Sequence, residues 1–382
     1  MKVRYSYLRQ QFSNCNDLWL SLKKFVKTGD FTLGKELKKF ENSFSRLIGT
    51  RYAVGVNSGT DAIKLSLKAL NIKLGDEVIT AANTFVATVG AITELGAIPV
   101  FVDCDDTFCM NVDLLEKKIT KKTKALMLVH ALGNCAEMDK LTRICKKNKL
   151  ILVEDACEAL GSRFKNKQLG TFGEFSSFSF YYSHHITSGE GGMVCVKNKK
   201  YLDVIKSLRS HGWSRDLSNK KFISKKYKNI DKNWIFINSG FNLRPTDINA
   251  AIGIQQLKRL KKILKIRKYN FLKIKKELIN NKNYNKQFSI LSDQKYSNIA
   301  WFGIPFVLNS KNKKYKLKVM NKLNQKGIMT RPIISGNFAN QPSIQLYKIK
   351  SNTKLPNADL IDKNSFFLGL HNIKITDNKL RI

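Results

Sequence analysis

The chain has 382 residues, of which 43% are hydrophobic and 25% charged, and it carries a formal net charge of +39. That length gives room for a large core and two domains, while no apolar run reaches the roughly 18 residues of a membrane span. The start, MKVRYSYLRQ, lacks the apolar core of a secretory signal, so a cytoplasmic location without a membrane partner is expected.

The positive charge raises nucleic acid as a partner. Lysine far outnumbers arginine, however, and the lysines are spread along the chain among abundant Asn and Ile. Segments such as LKRLKKILKIRKYN (257–270) fit the solvated faces of amphipathic helices, so no nucleic-acid site is expected. The same charge would help attract a diphosphate. The seven cysteines are scattered, odd in number and free of any C-x-x-C pair, which predicts reduced thiols and no metal site.

In chain order, FTLGKELKKFENSFSRLIG has helical spacing and closes on Gly49. YAVGVNSG reads as a strand running into a glycine turn, and TDAIKLSLKALNI as the helix after it. DEVITAAN, IPVFVD, ALMLVHALG and LILVEDA are short apolar runs of strand type. FVATVGAITELG, VDLLEKKIT and MDKLTRICKKN read as the helices between them. FSFYYS and MVCV are further strands, joined through SHHITSGEGG. A Lys-rich helix is expected over 246–281, then WFGIPFVL and a helix over 314–327. Strands alternating with helices predict an α/β fold whose large, mostly parallel sheet is covered on both faces. Residues 1–254 are taken as an N-terminal segment plus the large domain, and 255–382 as a smaller C-terminal α/β domain.

Ligands of such sheets sit at the carboxyl ends of strands, where Asn57–Thr60, Ala82–Phe85, His130–Asn134 and Asp155–Glu158 fall. NSGTDA offers free backbone N–H groups and a hydroxyl to a phosphate, although an ordinary capped helix uses the same residues. Asp155 ends an apolar strand, as a helix cap or as the partner of a protonated pyridine nitrogen. His184 and His185 stand side by side before a glycine-rich turn. A histidine alone is more often structural than catalytic.

The series GTDA, NTFVAT, GAIPVFVD, VEDACEALG, GTFGEFSSFSFYYS, GEGGMV and GFNLRPTDINAAIGIQQL resembles the sugar aminotransferases of the DegT/StrS type, in order and over nearly the whole chain. These have the pyridoxal-phosphate (PLP) aspartate aminotransferase fold (type I) and act on nucleotide-linked keto-sugars. In most of them a lysine follows the serine and holds the cofactor covalently. Here His184 stands there, as in a subgroup of sugar 3-dehydratases that work with pyridoxamine phosphate. The resemblance implies a GDP-linked 4-keto-6-deoxy-mannose as substrate, with a CDP-linked sugar or a sugar aminotransferase activity as the alternatives, and glutamate as amine donor. No cysteine follows Cys195, so the iron–sulfur cluster of related CDP-sugar dehydrases is not supported.

The resemblance also implies residue roles. His184 becomes the general base. Asp155 pairs with the ring nitrogen, Phe85 lies over the ring or is ordinary core, and Glu158 sits near the ring hydroxyl. Ser58, Gly59, Thr60 and Ser183 surround the phosphate, and Asn242 reaches it from the other subunit of a homodimer. His185 is either structural or a direct contact. His211, Arg331 and His371 are candidates for the sugar or the donor carboxylate, Arg331 being equally readable as a surface ion pair. The family usually continues into a closing helix beyond residues 379–382.

Overall fold

The computed structural model describes residues 3–347, 349 and 354–375. Residues 379–382, after which the family usually continues into a closing helix, lie outside the described residues. Seven strands form the main sheet: β1 (Tyr52–Val56), β2 (Glu77–Ala81), β3 (Ile98–Val102), β4 (Thr123–Val129), β5 (Ile151–Asp155), β6 (Phe175–Ser179) and β7 (Gly192–Val196). Their order is β1-β7-β6-β5-β4-β2-β3. Only β7 runs against its neighbours, pairing antiparallel with both β1 and β6. The α/β fold expected from the alternation is present.

The strands read as continuous apolar runs because both faces are covered. Along β4, Ala125 and Met127 join one hydrophobic cluster while Leu126 and Leu128 join the other, all fully buried. Alternate side chains of a strand point to opposite faces. Truncating Leu126 to Ala would therefore open a cavity, at a cost of roughly 2–5 kcal/mol.

Helices α1 (Lys35–Ile48), α2 (Gly59–Ala69) and α3 (Val86–Thr93) pack on these faces. The first stops at Gly49, whose φ of 84° is the left-handed conformation that glycine supplies without strain. A 33-residue helix, α4 (Asp247–Ile279), follows, capped by Thr246, whose side chain accepts from the Asn249 N–H. The boundary expected between residues 254 and 255 falls inside this helix.

A second sheet holds β8 (Phe288–Ile290), β9 (Gly303–Leu308), β10 (Thr330–Pro332) and β11 (Ser365–Gly369), in the order β8-β9-β11-β10 and all antiparallel. The N-terminal segment lies on it. Val3 bridges Ile328 in parallel, donating from its N–H to the Gly327 carbonyl at 2.8 Å. Gly369 permits this, because a Cβ there would stand 2.5 Å from the Arg4 carbonyl oxygen.

Two local expectations differ from the structure. VDLLEKKIT forms two short 3-10 turns, Val112–Leu114 and Glu116–Lys118, not an α-helix. Only Val112 and Leu115 are fully buried there, an i, i+3 pair that one tight turn satisfies. FSFYYS leaves the sheet after Ser179. The Phe180 carbonyl is taken instead by the Ser188 N–H at 3.0 Å and the Thr187 hydroxyl at 2.9 Å. The loop thus closes on itself and frees residues 181–184 to face outward from the strand ends.

Candidate active site

A cleft of about 740 Å3 opens among the strand ends. It is lined by Ser58, Gly59, Thr60, Phe85, Asp155, Glu158, Ser183, His184 and Arg331, all singled out in the sequence.

One corner is the turn from β1 into α2. Ser58 caps the helix, accepting from the Asp61 N–H at 3.1 Å and donating to Asp61 Oδ2 at 2.8 Å. The first-turn N–H groups have no intrahelical partner and carry the positive end of the helix dipole, which suits an anion. This turn can lie so close to the sheet only because of two glycines. A Cβ on Gly59 would be 2.7 Å from Ser179 Cβ, and one on Gly192 would be 2.1 Å from the Ser58 carbonyl oxygen. The last glycine of GEGG, Gly192, therefore serves this corner as well as its own turn.

Asp155 ends β5 in the middle of the cleft floor. Its Oδ1 accepts from the Cys157 N–H at 3.2 Å and its Oδ2 from the Thr88 hydroxyl at 3.3 Å. Burial raises its pKa above the usual carboxylate value. No lysine or arginine pairs with it among the described residues. A buried carboxylate with spare acceptor capacity is costly by itself and is relieved by a ligand's charged N–H. Phe85 is 58% exposed although it borders the cleft, leaving an apolar ring without a cover. A flat cationic heterocycle bearing a phosphate fits this set.

The remaining corner holds His184. Its ring lies 5.2 Å from that of Phe302, and burial pushes its pKa down to about 4, opposed by a hydrogen bond to the Cys157 backbone. Its Nδ1 is buried without a hydrogen-bond partner. Glu158 accepts from the Leu132 N–H at 2.7 Å, and its carboxyl is pushed up to about 8 by burial and by the neighbouring Asp155. No lysine lines the cleft among the described residues. Lys197, one of the nearest in sequence, donates to the Phe172 carbonyl instead.

Other residues named from the sequence lie elsewhere. His185 is buried behind the wall, with Nε2 2.9 Å from the Ala300 carbonyl oxygen, in a supporting position. His371 packs its ring 4.3 Å from that of Tyr7 and does not line the cleft. His211 and Asn242 are exposed and outside this chain's cleft; Asn242 bridges to Ser210, next to His211.

The structure also brings in residues to which the sequence had assigned no role: Tyr5, His130, Cys157, Ser179, Glu190 and Phe302. His130 sits in a strand-end segment already marked, its Nε2 held 2.9 Å from the buried Glu154. Cys157 is two residues past Asp155 in the same turn, so its place was readable. Tyr5 and Phe302 arrive from stretches more than 100 residues away from His184 with no local signal.

Among the described residues no helix is long and apolar enough to cross a membrane. A GDP-4-keto-6-deoxy-D-mannose 3-dehydratase of Escherichia coli O55:H7 is 32% identical, with 96% of this chain and 95% of that protein covered. A GDP-perosamine synthase of E. coli O157:H7 is 34% identical, covering 85% and 81%. Among solved structures, a GDP-4-keto-6-deoxymannose-3-dehydratase with a trapped PLP-glutamate geminal diamine superposes with a TM-score of 0.87 at 30% identity, covering 95% of each chain. The dehydratase match extends over more of both chains than the synthase match. Residues 16–381 match one family along nearly their whole length, and the chain belongs to it: the DegT/DnrJ/EryC1/StrS aminotransferase family.

Proposed function

We propose that this chain is a PLP/PMP-dependent nucleotide-sugar 3-dehydratase. It would remove the C3 hydroxyl of GDP-4-keto-6-deoxy-D-mannose, giving a 3,6-dideoxy-4-keto sugar, with glutamate as amine donor. The observation that carries this reading is His184 in a cleft that no lysine lines among the described residues.

When bound, the coenzyme supplies an amine for the C4 ketone of the sugar and a ring that accepts electrons. Asp155 would hold the proton on the ring nitrogen. The Ser58–Thr60 turn and Ser183 would bind the phosphate, Phe85 would cover a ring face, and Glu158, whose raised pKa keeps it protonated at neutral pH, would face the ring hydroxyl as a donor. Imidazole cannot make the lasting covalent link that a lysine amine makes, so His184 leaves the coenzyme exchangeable. With its pKa lowered to about 4, His184 is neutral at pH 7, the form that would accept a proton from the C4′ methylene of a bound coenzyme. The same low value makes its conjugate acid a ready donor to the departing C3 oxygen. Phe302, Phe367 and Tyr5 line this corner with rings that limit water.

The reading includes a homodimer. His211 and the exposed Asn242, brought together by the Ser210–Asn242 bridge, would enter the partner's cleft. Arg331, at the mouth, would take an anionic part of the sugar nucleotide or the donor carboxylate.

The test is incubation with the cofactor, glutamate and either GDP- or CDP-linked 4-keto-6-deoxy sugar, following ammonia and loss of the C3 oxygen by mass spectrometry. Dehydration of the GDP sugar is expected. An amino-sugar product without ammonia would replace this reading with a sugar aminotransferase, and preference for the CDP sugar would change the nucleotide.

A further inference from the structure

Tyr5 enters the cleft from the N-terminal segment, 179 positions before His184. Its ring packs 6.2 Å from Phe302 and 5.7 Å from Phe367, and the Arg331 guanidinium lies over its face at 4.8 Å. Its hydroxyl lies near the Ser183 side chain and Glu158 in the lining of the same cleft. The next residue, Ser6, donates from its hydroxyl to the Tyr182 carbonyl at 3.5 Å, a weak tie to the same turn.

The segment that carries Tyr5 is itself fixed. Val3 hydrogen-bonds on both sides, donating to Gly327 at 2.8 Å and accepting from Met329 at 2.9 Å. The Arg4 N–H donates to the Tyr7 hydroxyl at 2.9 Å, and Tyr7 packs on His371. Tyr5 Cα passes 2.9 Å from where a Cβ on Gly369 would stand, so β11 is grooved to receive it.

We infer that Tyr5 is a positioning residue for the reaction: its hydroxyl holds Ser183 and hence the turn that presents His184, while its ring face fixes the Arg331 guanidinium at the cleft mouth for an anionic group of the substrate. The inference rests on the proposed reaction for its kinetic part only. Hydroxyl and ring have separate tasks, so two substitutions separate them. The hydroxyl stays protonated across the working range, because burial raises its pKa far above the usual phenol value. The inferred tie to Ser183 is therefore through a neutral hydroxyl, without a titration of its own.

Tyr5→Phe removes the hydroxyl and keeps the ring. It should lower kcat about fivefold, the effect of one hydrogen bond, with KM unchanged. Tyr5→Leu also removes the aromatic face and should in addition raise KM for the anionic substrate about threefold. A readout independent of turnover is phenylglyoxal labelling of Arg331, followed by peptide mass spectrometry. Labelling should be slow in the wild type and in Tyr5→Phe, and several-fold faster in Tyr5→Leu. Circular dichroism shows that each variant is folded. Equal KM and equal labelling in the two variants, or a kcat for Tyr5→Phe within about twofold of wild type, would overturn the inference. If the wild type releases no ammonia from any sugar tested, the proposed reaction fails, and the labelling rates still decide whether Tyr5 holds Arg331.

Discussion

The phosphate corner and the His184 corner of the cleft are built in different ways. Ser58, Gly59 and Thr60 are consecutive, and their anion-binding capacity comes from the end of one helix. The His184 corner takes Tyr5, Cys157, Tyr181, Phe302 and Arg331 from well-separated stretches of chain. The first corner is polar and would grip any phosphate. The second is enclosed by rings, lowers the basicity of an imidazole and faces a protonated carboxyl. Grip is thus a local property of the sequence, whereas the choice of reaction depends on tertiary assembly around a single side chain.

The largest effect expected from breaking this division comes at His184. His184→Lys restores an amine that can trap the coenzyme and removes the proton carrier. Dehydration should fall about a thousandfold, within the usual range for loss of a general acid–base group. Borohydride reduction followed by peptide mass spectrometry should then find the coenzyme on residue 184. An unchanged dehydration rate would remove His184 from its role.

Asp155→Asn keeps the shape of the cleft floor and removes its charge. If the ring nitrogen is held there as proposed, the coenzyme should bind about a hundredfold more weakly, as for loss of one side of a buried charged hydrogen bond. Equilibrium dialysis or coenzyme absorbance measures this. Thermal unfolding of the unloaded variant should be no worse than wild type, since an uncompensated buried carboxylate has been removed. Equal coenzyme affinity would place the ring elsewhere.

Gly192→Ala probes the phosphate corner from across the sheet. The new Cβ would stand 2.1 Å from the Ser58 carbonyl oxygen, a backbone atom that cannot swing aside. The Ser58 turn must shift, at a cost of about 1–3 kcal/mol, the usual range for overpacking. The midpoint in urea should drop, and phosphate affinity should fall with it. The effect on kcat at saturating coenzyme should be small if the two corners are as separate as their construction suggests.

The same contrast explains what was legible in the sequence. The strand of LILVEDA with its terminal Asp155 and the helix stop at Gly49 depend on neighbours within a few residues, and pattern reading places them; the helix expected from Thr60 starts one residue earlier, at Gly59, with Ser58 as its cap. His184 stood out only because a lysine-rich chain carries a histidine beside the serine of a known motif. Its apolar surroundings were not legible, because Phe302 meets it, and Tyr5 packs on Phe302, only once β9 and the N-terminal segment are in place. His185 shows the same limit. Its position beside His184 gave no hint that its ring points to the Ala300 carbonyl and away from the cleft. The early end of β6 was hidden as well, since FSFYYS has strand composition throughout and only the Thr187 and Ser188 bonds to Phe180 end it.

The smallest net effect expected in the wild type is on the pH dependence of stability, where His184 and Glu158 should act in opposite directions and partly cancel. His184 has its folded pKa lowered from 6.5 to about 4, so between those values the unfolded chain binds more protons. Its contribution to stability is present above about 6.5 and is lost as pH falls toward 4. Glu158 has its pKa raised from 4.5 to about 8, so the folded chain binds more protons in that window. Its contribution is present below about 4.5 and is lost as pH rises toward 8. Urea titrations of His184→Asn and Glu158→Gln against wild type separate the two. The asparagine variant should flatten the acid side of the stability curve, and the glutamine variant the side from 4.5 to 8. Both curves keeping the wild-type shape would mean that neither group is enclosed as the rings of Phe302 and Tyr5 require, and the distinction between an open phosphate corner and a closed reactive one would go with it.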